Sequence, residues 1–91
     1  MQDCDIIFNA LHGGIGENGE VQNWMEENNI KFTGSDSSSS SVCMDKAKAK
    51  KILNREKILT PSWEILKSTD DKTKIDLPLI VKPNDEGSTY G

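Results

Sequence analysis

The chain has 91 residues, a net charge of −4, 29% charged side chains, 34% hydrophobic ones and 5% aromatic ones. That length suits one small domain or pieces of two, with a marginal core. The acidic balance argues against a nucleic-acid or anionic-membrane surface, and no apolar run is long enough for a membrane span or an export signal, which reads as cytoplasmic.

Residues 4–11, CDIIFNAL, form an apolar run with Ile6, Ile7 and Phe8 adjacent, as in a strand buried on both faces of a parallel sheet. The glycine-rich HGGIGENG follows and opens a helix on which Val21, Trp24 and Met25 share a stripe, with Glu20, Gln22, Asn23, Glu26 and Glu27 turned outward. Asn28 and Asn29 supply its left-handed stop. IKFTG is the next strand. Residues 35–41 are nearly all serine and read either as a flexible linker or as a short helix capped by one of the serines. Asp45 caps a further helix, KAKAKKILNREK, with Ala49, Ile52 and Leu53 on one stripe. SWEILK reads as an edge strand, STDDKTKID as a surface loop and LPLIVKP as a buried strand. The order is α/β in class. Cys4 and Cys43 lack metal-ligand spacing and are expected to be reduced and buried.

Chemistry concentrates in three places. Gly14, Gly16 and Gly19 match G-x-G-x-x-G between a strand and a helix, the dinucleotide-binding context. His12 and Gly13 intervene, however, and Glu17 puts a carboxylate where a pyrophosphate would approach. A small polar substrate held by the loop and His12, or a purely structural turn, are the other readings. Lys46 is nearer the Ala49–Ile52–Leu53 stripe than Lys48, Lys50 or Lys51, which read as solvated surface. A cation in a helix's first turn opposes the helix dipole, and an anion bound there would account for it. Lys82 follows Leu79, Ile80 and Val81 directly, so its ammonium needs a counter-charge or water. Beyond it, Gly87, Ser88, Thr89 and Gly91 read as a donor-rich loop of the kind that covers triphosphates.

Together FNALHGGIGENGEVQ, FTGS, MDKAKAKKIL and LPLIVKPNDEGSTYG resemble the D-alanine–D-alanine ligase family of the ATP-grasp superfamily. The resemblance covers nearly the whole chain and is least specific over residues 54–76. It implies a partial Rossmann-like pre-ATP-grasp domain, residues 1–35, followed by the start of the ATP-grasp domain, residues 36–91. It also implies that the chain is an internal segment, inactive by itself, of an enzyme that is a homodimer at full length. On this resemblance Lys46 and Lys82 contact ATP phosphates. Glu86, Gly87, Ser88 and Thr89 close over the transferred phosphate, and Ser88 also organises the first D-alanine. His12 borders the alanine pocket, and Glu17 joins its polar network. Mg²⁺ is implied with its ligands outside these residues. Tyr90 stands where the family places a small aliphatic residue. Another ATP-grasp carboxylate–amine ligase, or a noncatalytic dinucleotide module built on Gly14, Gly16 and Gly19, are the alternatives.

Overall fold

A helix needs partners for its first amide groups and last carbonyls, and this chain supplies them largely from its own polar side chains. A computed structural model describes residues 3–86. It contains a short 3₁₀ turn at Gly14–Gly16 and three helices, α1 (Glu20–Glu27), α2 (Ser37–Met44) and α3 (Lys46–Arg55). α2 packs against both of the others.

The glycine turn and α1 are built around close approaches. A Cβ on Gly16 would lie 2.4 Å from the Leu11 Cβ, so the turn closes only with glycine there. Gly19 precedes α1 at φ 98°, and a Cβ on it would lie 2.5 Å from the Ser37 carbonyl oxygen. α1 therefore starts against the beginning of α2. One residue of α1 departs from the expected outward face: Gln22 is buried beside Met25. Gln22 and Met25 are about 60° apart around the helix, which turns both toward the interior and leaves Trp24 half exposed. The Gln22 amide donates to the Gly16 carbonyl at 2.9 Å, tying α1 back to the turn.

α1 and α3 end alike. Asn29, at φ 56°, and Lys57, at φ 59°, take the left-handed conformation. The amides of Ile30 and Ile58 then reach the carbonyls of Met25 and Leu53, both at 2.9 Å. Those of Asn29 and Lys57 reach Glu26 and Asn54, both at 3.1 Å. These are Schellman motifs. The asparagine stop is as expected; a lysine in the same conformation was not.

The serine run is helix α2, and its cap is Asp36 rather than a serine. Asp36 accepts from the Ser39 amide at 2.8 Å, and Glu26 of α1 accepts from the Ser37 amide at 2.8 Å and its hydroxyl at 2.6 Å. Two carboxylates thus meet the positive end of a helix whose own sequence has little apolar periodicity.

The strands are sparser than expected. Ile7 and Phe32 form a parallel bridge. Ile7 donates to the Lys31 carbonyl at 2.8 Å, and its own carbonyl accepts from Thr33 at 3.0 Å. This places residues 7–9 beside 31–33 around α1, consistent with α/β. No ladder forms at residues 62–67 or 77–83 among the described residues. A strand needs a neighbour for its amides and carbonyls, and none runs beside these segments. Leu77, Ile80 and Val81 are accordingly 82%, 82% and 75% exposed, not buried. The radius of gyration is 16.5 Å, against about 12 Å for a compact chain of this length. Met25 and Ala47 are the buried hydrophobic residues among those described. Cys4 and Cys43 are exposed, against expectation: Cys4 precedes the bridge, and Cys43 lies on the wall of a cleft. Among the described residues no helix is long and apolar enough to cross a membrane.

Candidate functional site

Two concavities flank the glycine turn. One, of about 580 Å³, is walled by Ile7, Phe8, Leu11, Ile15 and Trp24 and is almost wholly apolar. The other, of about 650 Å³, gathers polar groups from every part of the fold. His12, Gly16 and Glu17 come from the glycine turn and Ser39, Ser40 and Cys43 from α2. Lys46 comes from α3, and Lys82 and Glu86 from the last described segment. Only the second has cations to offer a phosphate, so it is the candidate site.

Of the residues singled out from sequence, His12, Glu17, Lys46, Lys82 and Glu86 share this cleft. Gly87, Ser88 and Thr89 lie outside the described residues. Glu17 is half-buried, and its carboxylate accepts a hydrogen bond from the Gly13 amide. The turn's amide thus binds the protein's own carboxylate, while Gly16 is committed to its approach to Leu11. Nothing in this geometry favours a dinucleotide in the glycine turn.

Lys46 is explained differently from the expectation of an anion at the helix start. Its own amide donates to the Asn84 carbonyl at 2.9 Å, the Ala47 amide to Asn84 Oδ1 at 2.9 Å, and the Lys48 amide to Asp45 Oδ1 at 3.0 Å. The first three amides of α3 are therefore satisfied within the chain, leaving none for an anion. The ammonium bends over the same segment and donates to the carbonyls of Pro83 at 2.7 Å and Glu86 at 2.8 Å. These bonds bring residues 82–86 to the start of α3 and so put both lysines on one cleft.

Sequence reasoning gave Asn84 no part, yet it is the centre of this junction. Besides its two acceptor contacts it donates from Nδ2 to Asp45 Oδ1 at 2.9 Å, across 39 positions of sequence. An asparagine after proline signals a turn, not a partner so distant. The Lys48 amide first, and then the Asn84 side chain, hold the Asp45 carboxyl below its ordinary value. Among the described residues no group of three or more His, Cys, Asp or Glu side chains is placed to hold a metal ion. Lys50, expected to be plain surface, is half-buried and donates to the Thr60 hydroxyl.

No family model matches the chain. It is 44% identical over 94 aligned positions to the D-alanine–D-alanine ligase of Pediococcus pentosaceus, covering 100% of this chain and 27% of that protein. It is 45% identical over 95 positions to D-alanine–D-alanine ligase A of Bacillus cereus, covering 99% of this chain and 32% of that one. The crystal structure of the Bacillus anthracis D-alanine–D-alanine ligase complexed with ATP superposes with a TM-score of 0.83 at 44% identity. That match covers 94% of this chain and 31% of the ligase. The chain thus spans about 30% of the length of the relatives it matches. Sequence and backbone agree over the same stretch: this chain is similar to one segment of the D-alanine–D-alanine ligases.

Proposed function

We propose that the chain is the part of an ATP-dependent D-alanine–D-alanine ligase that brings the nucleotide's phosphates to the first D-alanine. In this reading residues 1–35 belong to a Rossmann-like substrate domain and residues 36–91 open the nucleotide-binding domain. The observation that carries it is the convergence of Lys46 and Lys82 on the cleft that also holds His12 and Glu17. Similarity to a ligase crystallised with ATP supports it.

The reaction joins two anions, and its barrier is electrostatic. A D-alanine carboxylate oxygen attacks the γ-phosphorus of ATP, the bond to the bridging oxygen breaks, and ADP departs, leaving an acyl phosphate. The amine of a second D-alanine attacks the acyl carbon; it loses a proton, phosphate leaves, and the dipeptide needed for peptidoglycan forms. Lys46 and Lys82 offset the repulsion between carboxylate and triphosphate as they approach. Ser88, Gly87 and Thr89 supply donors to the phosphate being transferred, with Glu86 at the root of that loop. His12 lines the alanine side, and Glu17 fixes the turn carrying it through the Gly13 amide. Mg²⁺, when bound with ATP, adds charge neutralisation at the phosphates; its ligands are assigned outside this chain.

Titration of the chain with MgATP tests the reading. Lys82→Ala should weaken binding by about tenfold or more, the size expected when a charge-assisted contact is lost. Gly14→Ala, in the glycine turn, should leave nucleotide affinity within about threefold, since the phosphates lie elsewhere. The reverse ranking would favour a dinucleotide module and refute the ligase assignment.

A further inference from the structure

We propose that Asn84 is a positioning residue for the phosphate site, acting as a latch between α3 and the segment that carries Lys82 and Glu86. This rests on the nucleotide reading above and adds to it the residue that sets the spacing of the two lysines. Asn84 makes three contacts with the helix start, each at 2.9 Å: its carbonyl accepts from the Lys46 amide, its Oδ1 from the Ala47 amide, and its Nδ2 donates to Asp45 Oδ1. An amide is needed here because the site demands a donor and an acceptor on one short side chain. Aspartate offers two acceptors and would set a second carboxylate against Asp45. Alanine leaves the Ala47 amide and Asp45 without their cross-chain partner.

The latch bears on the cleft because little else holds this segment. Leu77, Ile80 and Val81 are exposed and join no sheet among the described residues. The Lys46 ammonium reaches the Pro83 and Glu86 carbonyls only while residues 83–86 lie against α3. Release of Asn84 therefore frees both cations at once: Lys46 loses its carbonyl anchors, and Lys82 loses its place in the cleft it shares with His12 and Glu17.

The test exploits the polarity of the Asp45–Asn84 pair. Asn84→Asp should weaken MgATP binding about tenfold and speed hydrogen exchange at the Lys46 and Ala47 amides by a similar factor, a loss of one charge-assisted bond. The Ser39 amide, capped separately by Asp36, should be unchanged. Adding Asp45→Asn to Asn84→Asp restores one donor and one acceptor with the roles exchanged, and should return both readouts to within about threefold of the parent chain. The single Asn84→Asp variant should also regain affinity as pH falls far enough for the two carboxylates to share a proton. A general packing role would produce neither the rescue nor the pH dependence. Unchanged affinity in Asn84→Asp, or no recovery in the paired variant, overturns the latch. If the parent chain takes up no MgATP, the nucleotide reading itself falls and the positioning role falls with it.

Discussion

Replacing Gly19 with alanine probes the approach that shapes one wall of the cleft. Gly19 sits at φ 98°, where a side chain is strained, and its new methyl would meet the Ser37 carbonyl oxygen at 2.5 Å. Strain at positive φ costs about 1–2 kcal/mol, and forcing backbone apart in a packed contact adds about 1–3 kcal/mol. Gly34 provides the control: its φ is nearly the same, 100°, but no atom of the described residues lies within 4 Å of a Cβ placed there. Gly34→Ala should therefore carry the strain alone. The two variants should differ by at least about 1 kcal/mol, which for a domain of this size separates their melting temperatures by about 4–8 °C. Trp24, inside α1 and half exposed, reports the transition by fluorescence. Equal midpoints for the two variants would show that α1 does not depend on close approach to α2, and would refute the account of how α1 starts against the beginning of α2.

Three further outcomes are expected. Lys57→Gly should raise stability by about 0.5–1 kcal/mol in urea denaturation, because Lys57 holds φ 59° at the end of α3 where glycine carries no Cβ penalty. Gln22→Leu should stay within about 1 kcal/mol of the parent chain, whereas Gln22→Glu should lose about 2 kcal/mol or more, since Gln22 is buried and its Oε1 has no partner among the described residues. The cap carboxyls set the acid limit: the Ser39 amide and then its hydroxyl hold Asp36 below its ordinary value of 3.8, and the Lys48 amide and then the Asn84 side chain do the same for Asp45. The unfolded chain binds more protons in that interval, so the contribution is complete above about pH 4 and is lost as pH falls through the lowered native values. Circular dichroism against pH should show that loss, and asparagine at both positions, which keeps a capping oxygen, should flatten it.

What the sequence discloses here is mostly what is local. The stripe of α1 through Met25, the asparagine stop and the Asp45 cap all depend on neighbours within a few positions, and each is found. The serine run shows the limit: a polar tract reads equally as linker or short helix, because its stabilising partner, Glu26, lies 11 positions away. Gln22 fails for a related reason. Its polarity suggests solvent, but the Gly16 carbonyl gives its amide a buried partner, so burial becomes tolerable. The apolar runs at 62–67 and 77–83 have strand composition, yet composition cannot supply a neighbouring strand. For the site, His12, Glu17, Lys46 and Lys82, singled out at separate places in the sequence, line one cleft. The bonds that assemble them run through Asn84, and no periodicity carries that information.

How Lys46 is held matters for what the cleft can bind. An ammonium fixed by a carboxylate would be well oriented but largely discharged, and a phosphate would have to compete with that partner. Here the acceptors are the neutral carbonyls of Pro83 and Glu86, which orient the group without cancelling its charge. The ion pair among the described residues is Arg55–Glu56, on the exposed surface. No carboxylate is ion-paired with Lys46 or Lys82 among those residues. Both line the cleft, beside Glu17 and Glu86, in a chain whose net charge is −4. Overall acidity excludes polyanions from most of the surface, whereas a local pair of positive charges attracts a compact one at close range. In the proposed nucleotide reading that contrast suits capture of a triphosphate, with Lys46 anchored by dipoles rather than by opposite charge.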